Sequence, residues 1–483
     1  MKKTHSNKSV PPDDYEAWFN QANALDDSGR YEDAIECFDK ALQIKPDYHL
    51  AWNNRGIALR KLGRFEEAIE SYEKALQIKP DYLLAWNNRG TLLGKLGRFE
   101  DAIESFDQLL KIKPDKLDAW RSRGAALFKL DRFSEAIESF DKVLQVKQDL
   151  HDVWYNRGYA LFKSGRFEEA IKCYEKVLQL QPKYYLAFHS CGIALDQLGR
   201  FEEAIKSYDK ALQIKQGYHE AFHNRGIAFG HLGDFEEAIK NYEKALQIKS
   251  DYHEAWYNRG NAFFSLGRPK DAIDNYEKAL QIKQDYHEAW NTRAYALFKL
   301  GQHKAAIESY EQALQIKQDL YDVWNNRGYA LKRLGQHKEA IESYEQALQI
   351  KSDYHEAWYN RGNAFLSLGD YKKAIESYVK ALQINPDYHE AWNNRGVALD
   401  DLKHYEKAIE SYERALQVKQ NYHLAWNNRG VALKKLGRLE EALSSFEKTL
   451  QIKADFTLAQ NNQQAVMEML GKKSKPIFSF LKK

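Results

Sequence analysis

The feature that most restricts the fold of this chain is a 34-residue repeat that runs through it without insertion or deletion. The segment AWNNRG at 51–56 shows the pattern, and an aromatic residue recurs at the place of its tryptophan in every copy. All eleven tryptophans of the chain lie on this one phase. With this aromatic as the fourth residue, thirteen repeats fit between Tyr15 and Phe456. Such a period indicates one extended array and not several globular domains.

Each repeat carries two segments with the apolar spacing of a helix. In the second repeat, Phe65, Ala68, Ile69 and Tyr72 follow the i, i+3, i+4, i+7 pattern of an amphipathic helix. Gly63 separates this segment from the one before it, and eleven of the thirteen repeats have glycine there. The pattern predicts two helices per repeat and, with one more at the end, twenty-seven helices.

The repeat resembles a known family. The residues that carry the likeness in the second repeat are Trp52, Gly56, Leu59, Gly63, Phe65, Ala68, Tyr72, Ala75 and Pro80. They match the signature of the tetratricopeptide repeat, a helix-turn-helix unit of the same length. The resemblance implies an all-α fold, an α-solenoid wound as a right-handed superhelix. It also implies a protein-binding scaffold without catalytic activity.

The repeat phase divides the chain into four parts. Residues 1–14 are polar and are predicted to be a flexible lead-in. The thirteen repeats span 15–456, and residues 457–470 begin a fourteenth that is more polar, as a capping helix should be. Residues 471–483 form a basic tail around an apolar segment. The tail is predicted to be disordered, with a docking peptide or a membrane-surface contact as the alternatives.

Composition argues against several other functions. Lys plus Arg number 72 against 69 Asp plus Glu, which is too balanced to indicate nucleic acid. No apolar run is long enough for a membrane span, and the three cysteines lie far apart, so a cytoplasmic protein with free thiols is expected. No motif of a catalytic or cofactor site is present. Histidine opens eight repeats, but neighbouring copies are expected too far apart to share a metal.

The family resemblance places the sixth residue of each repeat on the concave groove, and here it is asparagine in ten repeats. This row resembles the asparagine ladder in the repeat region of O-linked N-acetylglucosamine transferase, where asparagines hold a peptide backbone. A carboxamide both donates and accepts, so it suits any client sequence. The alternative is that these residues cap or bridge helices. The predicted backbone-binding residues are Asn54, Asn88, Asn156, Asn224, Asn258, Asn326, Asn360, Asn394 and Asn428.

Other groove positions vary between repeats, as a surface that selects partners should. Two aromatic patches and one row of lysines are predicted to set specificity. Equivalent residues of the two patches, such as Phe128 and Phe298, are 170 residues apart in the sequence, which suggests that a block of five repeats was duplicated. Two related patches would suit a long or bivalent client. The first patch is Phe128, Tyr159 and Phe162; the second is Phe264, Tyr295, Phe298 and Tyr329; the lysines are Lys61, Lys95, Lys129 and Lys163.

Arginine fills the seventh position in eleven repeats, where the family more often has leucine. A stem packed between helices with its guanidinium bonded to a carboxylate or a carbonyl is expected, with ligand binding as the alternative.

The sequence therefore predicts a scaffold that binds an extended protein segment along its groove, with no cofactor and no small-molecule substrate. A targeting or regulatory subunit for a separate enzyme, such as a glycosyltransferase, is the first alternative. Binding of nucleic acid by the lysine-bearing repeats is the second.

Overall fold

The computed structural model describes residues 13–471, and within them it shows twenty-seven α-helices and no strand. This confirms the predicted all-α class. Residues 1–12 and 472–483, which hold most of the expected lead-in and basic tail, lie outside the described residues. Those two expectations stay predictions.

The odd-numbered helices are the first helices of the repeats, and α27 follows the last repeat. Their bounds are α1 Tyr15–Asp27, α3 His49–Lys61, α5 Leu83–Lys95, α7 Leu117–Lys129, α9 His151–Lys163, α11 Tyr185–Gln197, α13 His219–His231, α15 His253–Ser265, α17 His287–Lys299, α19 Tyr321–Arg333, α21 His355–Ser367, α23 His389–Asp401, α25 His423–Lys435 and α27 Thr457–Met469.

The even-numbered helices are the second helices. Their bounds are α2 Tyr31–Ile44, α4 Phe65–Ile78, α6 Phe99–Ile112, α8 Phe133–Val146, α10 Phe167–Leu180, α12 Phe201–Ile214, α14 Phe235–Ile248, α16 Pro269–Ile282, α18 His303–Ile316, α20 His337–Ile350, α22 Tyr371–Ile384, α24 Tyr405–Val418 and α26 Leu439–Ile452.

The chain divides into two compact units, Met1–Glu237 and Ala238–Lys483, with the division inside α14. In the N-terminal unit, α3 packs against α4 of its own repeat and against α2 of the repeat before. In the C-terminal unit, α23 does the same with α24 and α22. At its end α27 packs on α26 and buries Ala459 and Val466.

The core of a repeat depends on one small residue facing one ring. Tyr72 of α4 is fully buried, and a Cβ on Gly56 of α3 would lie 2.6 Å from its Cε1. That distance is too short for a real contact, so the eighth position must stay small for the two helices to approach. This ring is among the largest fully buried side chains, so it contributes a large share of the buried apolar area of the repeat.

In ten repeats the fourth-position tryptophan ties the first helix to the turn before it. Trp52 Nε1 donates a hydrogen bond to the Pro46 carbonyl oxygen at 2.9 Å, and Trp392 does the same to Pro386 at 2.9 Å. The bond needs only a backbone carbonyl, so it survives where the proline is replaced, as at Gln148, the acceptor for Trp154. This explains why the tryptophans recur on one phase.

The turn inside each repeat needs a left-handed residue. Gly63 has φ +82°, and the same turn is made by Asp131 at φ 57° and Lys403 at φ 63°. These are the two repeats in which glycine is replaced, so the turn is kept at the cost of backbone strain.

Candidate binding surface on the first helices

The candidate site is the first-helix surface, by which we mean the sixth, ninth, twelfth and thirteenth residues of the repeats. Contacts between successive first helices bring these positions together within each compact unit. The predicted asparagines, aromatic residues and lysines all lie on this surface.

Six of the predicted asparagines bridge one repeat to the previous one. Asn88 Nδ2 donates to Asn53 Oδ1 at 3.0 Å, and Asn394 Nδ2 donates to Asn363 Oδ1 at 2.9 Å. The other bridges run from Asn54 to Asn23, Asn224 to His189, Asn360 to Asn325 and Asn428 to Asn393. The amide donor of these six is therefore engaged within the chain, as the bridging alternative expects.

Asn156 and Asn326 differ from these six. Both are half-exposed, and neither makes a side-chain hydrogen bond to another described residue. The fifth-position neighbour of Asn326 in the previous repeat, Asn291, has a buried Oδ1 without a donor. Asn156 and Asn326 thus keep a complete carboxamide for a ligand. Asn258 lies half-exposed on α15.

In the N-terminal unit the aromatic residues form a continuous patch. The Phe128 and Tyr159 rings stack with centroids 5.1 Å apart and planes inclined by 27°. Phe128 also packs on Phe133 at 5.4 Å, and Phe162 packs on Phe167 at 5.3 Å. Tyr159 is 38% exposed, whereas Phe128, which stacks on it, and Phe162 are half-buried. The patch presents an exposed tyrosine supported by Phe128.

The C-terminal unit repeats this arrangement twice in succession. Phe264 packs on Tyr295 with centroids 5.6 Å apart, and Phe298 packs on Tyr329 at 5.4 Å. Tyr295 is 41% exposed and Tyr329 is 38% exposed. In each pair the twelfth residue of one repeat supports the ninth residue of the next. Lys332 replaces the phenylalanine found at Phe162, and burial lowers the pKa of its ammonium group.

The four predicted lysines are not equivalent. Lys61 Nζ pairs with Asp26 at 2.7 Å, so its charge is already matched. Lys163 Nζ lies 5.7 Å from the Tyr159 ring centroid, close enough to act with that aromatic patch. Lys163 therefore borders the N-terminal patch, and Lys95 and Lys129 are exposed on the two first helices before α9.

The histidines that open the repeats serve packing. The His49 ring meets Tyr82 edge-on at 4.9 Å, and His389 meets Tyr422 at 4.9 Å in the same way. Among residues 13–471, no group of three or more His, Cys, Asp or Glu side chains is placed to hold a metal ion.

The seventh-position arginines form an arginine clamp between repeats. Arg55 Nε contacts Asp39 Oδ1 at 2.6 Å, and its Nη1 donates to Ser71 Oγ at 2.8 Å. The carboxylate comes from the twenty-fifth residue of the previous repeat, on its second helix. Ten of the eleven arginines are paired in this way, which agrees with the structural role expected for them.

Two junctions lack the arginine clamp. In repeat 6 the arginine is replaced by Cys191, and in repeat 11 the carboxylate is replaced by Val379, which leaves Arg395 without one. The second case was not predicted from the row of arginines, because the arginine itself is present there and only its partner differs. The signal was present, since the twenty-fifth residue is Asp or Glu in the twelve other repeats.

None of the helices within residues 13–471 combines the length and the apolar character needed to cross a bilayer.

Comparison with family models covers most of the repeats. Models described as tetratricopeptide repeat match residues 151–184, 253–286, 355–388, 389–422 and 423–456, and also 5–49, 19–82 and 87–149. A model described as TPR repeat matches 194–233, 231–267, 294–335 and 328–369. A search of curated proteins finds no match.

Solved structures similar to the chain include MamA, with 26% identity, a TM-score of 0.33 and coverage of 34% of this chain and 96% of that one. Another is YrrB, described as a TPR protein with an unusual peptide-binding site, with 22% identity, a TM-score of 0.35 and coverage of 39% and 96%. The Cut9–Hcn1 hetero-tetramer of APC/C matches at 16% identity, a TM-score of 0.39 and coverage of 95% and 97%. The matches of the repeat models along the array show that this chain belongs to the tetratricopeptide repeat family.

Proposed function

We propose that the chain is a protein-interaction scaffold that binds extended segments of other proteins along its first-helix surface. The observation that carries the proposal is the recurrent pair in which a half-buried phenylalanine supports an exposed tyrosine on the next first helix. Tyrosines about 40% exposed over a rigid base are the kind of residue that dominates protein interfaces.

The spacing of the repeats fits an extended client. Packed helices lie about 8–10 Å apart, and an extended chain advances about 3.3–3.6 Å per residue. One repeat therefore corresponds to roughly three client residues. Asn156 and Asn326, with complete carboxamides, are the positions best suited to hold a client's backbone N–H and C=O groups.

Both aromatic patches have a lysine beside an exposed tyrosine. Lys163 borders the N-terminal patch, and together with Lys95 and Lys129 on the preceding first helices it favours a client segment with acidic residues beside its apolar anchors. In the C-terminal patch Lys299 Nζ lies 5.2 Å from the Tyr295 ring centroid and Lys332 is half-buried, while Asp400 and Asp401 lie two repeats further along the chain.

The test is photo-crosslinking in the native cell. A benzophenone amino acid would replace Tyr159 in one strain and Tyr329 in another, and crosslinked partners would be identified by mass spectrometry. We expect protein segments from both positions and few from Glu66, an exposed control residue on the second helix α4. Equal crosslinking from Glu66, or recovery of nucleic acid in place of protein, would refute the proposal.

A further inference from the structure

The arginine clamp shows what a carboxylate does at the seventh-position guanidinium. In the ten complete clamps the closest nitrogen–oxygen distance is 2.5–3.1 Å. The arginine is largely covered while the carboxylate is roughly half-exposed, so the carboxylate approaches from the solvent side. The carboxylate therefore lies at the solvent edge of the clamp.

Repeat 12 has the guanidinium without this carboxylate. Arg395 Nη1 donates to Ser411 Oγ at 2.8 Å, as in the complete clamps, but Arg395 Nε is buried and has no acceptor. No Asp or Glu oxygen of the described residues lies within 4.0 Å of it. Glu410 is the carboxylate that acts on it from further away, and burial lowers the pKa of Arg395. Arg225 and Arg259 also have an Nε without a hydrogen bond, but both keep a paired carboxylate.

The guanidinium is nevertheless held in place. Its Cζ lies 5.5 Å from the Trp392 ring centroid, and similar stacking occurs in complete clamps such as Arg361 over Trp358 at 5.4 Å. Arg395 is therefore oriented as if a carboxylate were present. A donor that is already oriented and partly dehydrated binds an anion with little loss of side-chain freedom.

Helix α22, which has Val379 in place of the clamp carboxylate, is also the one second helix with a net positive charge. Helix α22 carries Lys372, Lys373 and Lys380 against Glu376, so three positive charges less one negative charge leave +2. In each of the twelve other second helices, Asp and Glu outnumber Lys and Arg. Lys372 and Lys380 are exposed. Lys373 is paired with the N-cap Asp370 at 3.4 Å, so Lys372 and Lys380 are the cations of this helix that favour an acidic partner.

One complete clamp lines a cleft large enough for a side chain. Where repeats 4 and 5 meet, an open cleft of about 570 Å³ is lined by Asp141, Trp154 and Arg157, with Lys176 at its side. The same repeat positions at Arg395 are filled by Val379, Trp392 and Arg414. Repeat 11 has Val379 where the other repeats have Asp or Glu. The position beside Arg395 therefore carries no negative charge.

We propose that Arg395, beside the basic helix α22, receives an Asp or Glu side chain from an acidic segment of a partner protein. The partner's carboxylate takes the place that Asp or Glu fills in the ten complete clamps. This second site lies where α22 meets Arg395 of α23. It does not depend on binding at the first-helix surface.

The test uses the full chain and a fluorescein-labelled twelve-residue peptide of alternating Asp and Ser, with an Asn-for-Asp version as the neutral probe. Fluorescence anisotropy at low salt would compare wild type, Val379→Glu and Val379→Gln. Val379→Glu restores the internal carboxylate and should weaken binding of the acidic peptide by about tenfold or more. Val379→Gln, of similar size but uncharged, should bind within about twofold of wild type.

A gain-of-site variant and a fold control complete the test. Glu345→Val removes the carboxylate of Arg361 in the same way and should add a second site for the acidic peptide. The melting temperature of Val379→Glu should equal or exceed that of wild type, which would show that lost binding is not lost folding. Unchanged affinity in Val379→Glu, or equal binding of the neutral peptide, would overturn the proposal. So would binding of a single-stranded RNA twelve-mer at Arg395 without binding of the acidic peptide.

Discussion

Phe128 on α7 and Tyr159 on α9 stack across the boundary between two repeats, and Phe298 and Tyr329 are paired at the same positions 170 residues later. If the phenylalanine ring is removed, the tyrosine side chain that packs on it should lose its fixed orientation. We expect Phe128→Ala and Phe298→Ala each to weaken client segments crosslinked at its own patch by about five- to thirtyfold. Titration of those segments against both variants, with a thermal melt beside each, measures this. Wild-type affinity in both variants would refute the two-patch idea.

The asparagine row should separate into two classes. Asn360→Ala removes a bridge to Asn325 and should lower stability by about 0.5–1.5 kcal/mol, visible as a lower melting temperature. Asn326→Ala removes no such bond, so it should leave the melting temperature unchanged and weaken client binding. The comparison is matched because both residues occupy the sixth position in neighbouring repeats. If Asn326→Ala binds clients as wild type does, the row only bridges repeats.

Gly192 should not tolerate a methyl group unless Tyr208 shifts, although alanine fills the eighth position at Ala22 and Ala294. A Cβ on Gly192 would lie 2.5 Å from Tyr208 Cε1, so Gly192→Ala should destabilise the protein by about 1–3 kcal/mol. Gly230, on a first helix of the same compact unit, has no such neighbour within 4 Å. Gly230→Ala should be neutral or stabilising by up to about 1 kcal/mol. Urea unfolding followed by circular dichroism gives both values, and equal effects would contradict the close packing described here.

The strained turn of repeat 12 should be relieved by glycine. Lys403 has φ 63°, a left-handed conformation that costs an ordinary residue about 1–2 kcal/mol. Part of this is offset by the greater freedom of glycine in the unfolded chain, so Lys403→Gly should gain about 0.5–1 kcal/mol. Gly437→Lys, at the same position in the next repeat, should lose a similar amount. A lower urea midpoint for Lys403→Gly would disprove the strain.

Buried His189 should make stability depend on pH. Asn224 Nδ2 donates to His189 Nε2 at 2.9 Å, and Tyr218 Oη lies 3.0 Å from His189 Nδ1, so the ring is held neutral. Burial lowers the pKa of His189 from 6.5 to about 4. Between these values the unfolded chain binds the proton and the folded chain does not. Stability should therefore fall as pH drops from about 6.5 to about 4, by up to about 3 kcal/mol.

The matched variant for this prediction is His189→Gln, measured by urea unfolding at several pH values. Other histidines with lowered pKa values, including His389 and His423, act in the same direction. The difference between wild type and variant isolates His189. An identical pH dependence in both would rule out the assignment.

The helices were predictable because their signals are local and repeated. Gly63 and its equivalents indicated the turn, and the helical spacing of Phe65, Ala68 and Tyr72 indicated the buried face of the second helix. Because all thirteen repeats keep the same 34-residue period, the turn could be placed even where Asp131 and Lys403 replace the glycine.

The candidate surface was only partly predictable. Which residues face the groove follows from the repeat position, but whether a side chain is already engaged depends on the neighbouring repeat. Asn88 finds Asn53 in the repeat before it, whereas Asn156 finds Arg121 at the same place, and Arg121 is paired with Asp152. A pattern read one repeat at a time does not show such pairs.

The two incomplete arginine clamps also bear on how the array opens. In a linear array, stability is a sum of terms for each repeat and each interface, so removal of one tie weakens the structure locally. The junctions at Cys191 and at Val379 lack a tie that ten others possess. Amide hydrogen exchange should therefore be fastest, away from the chain ends, at the starts of α11 and α23. At these two junctions the array would open locally, under conditions in which the rest of the protein stays folded.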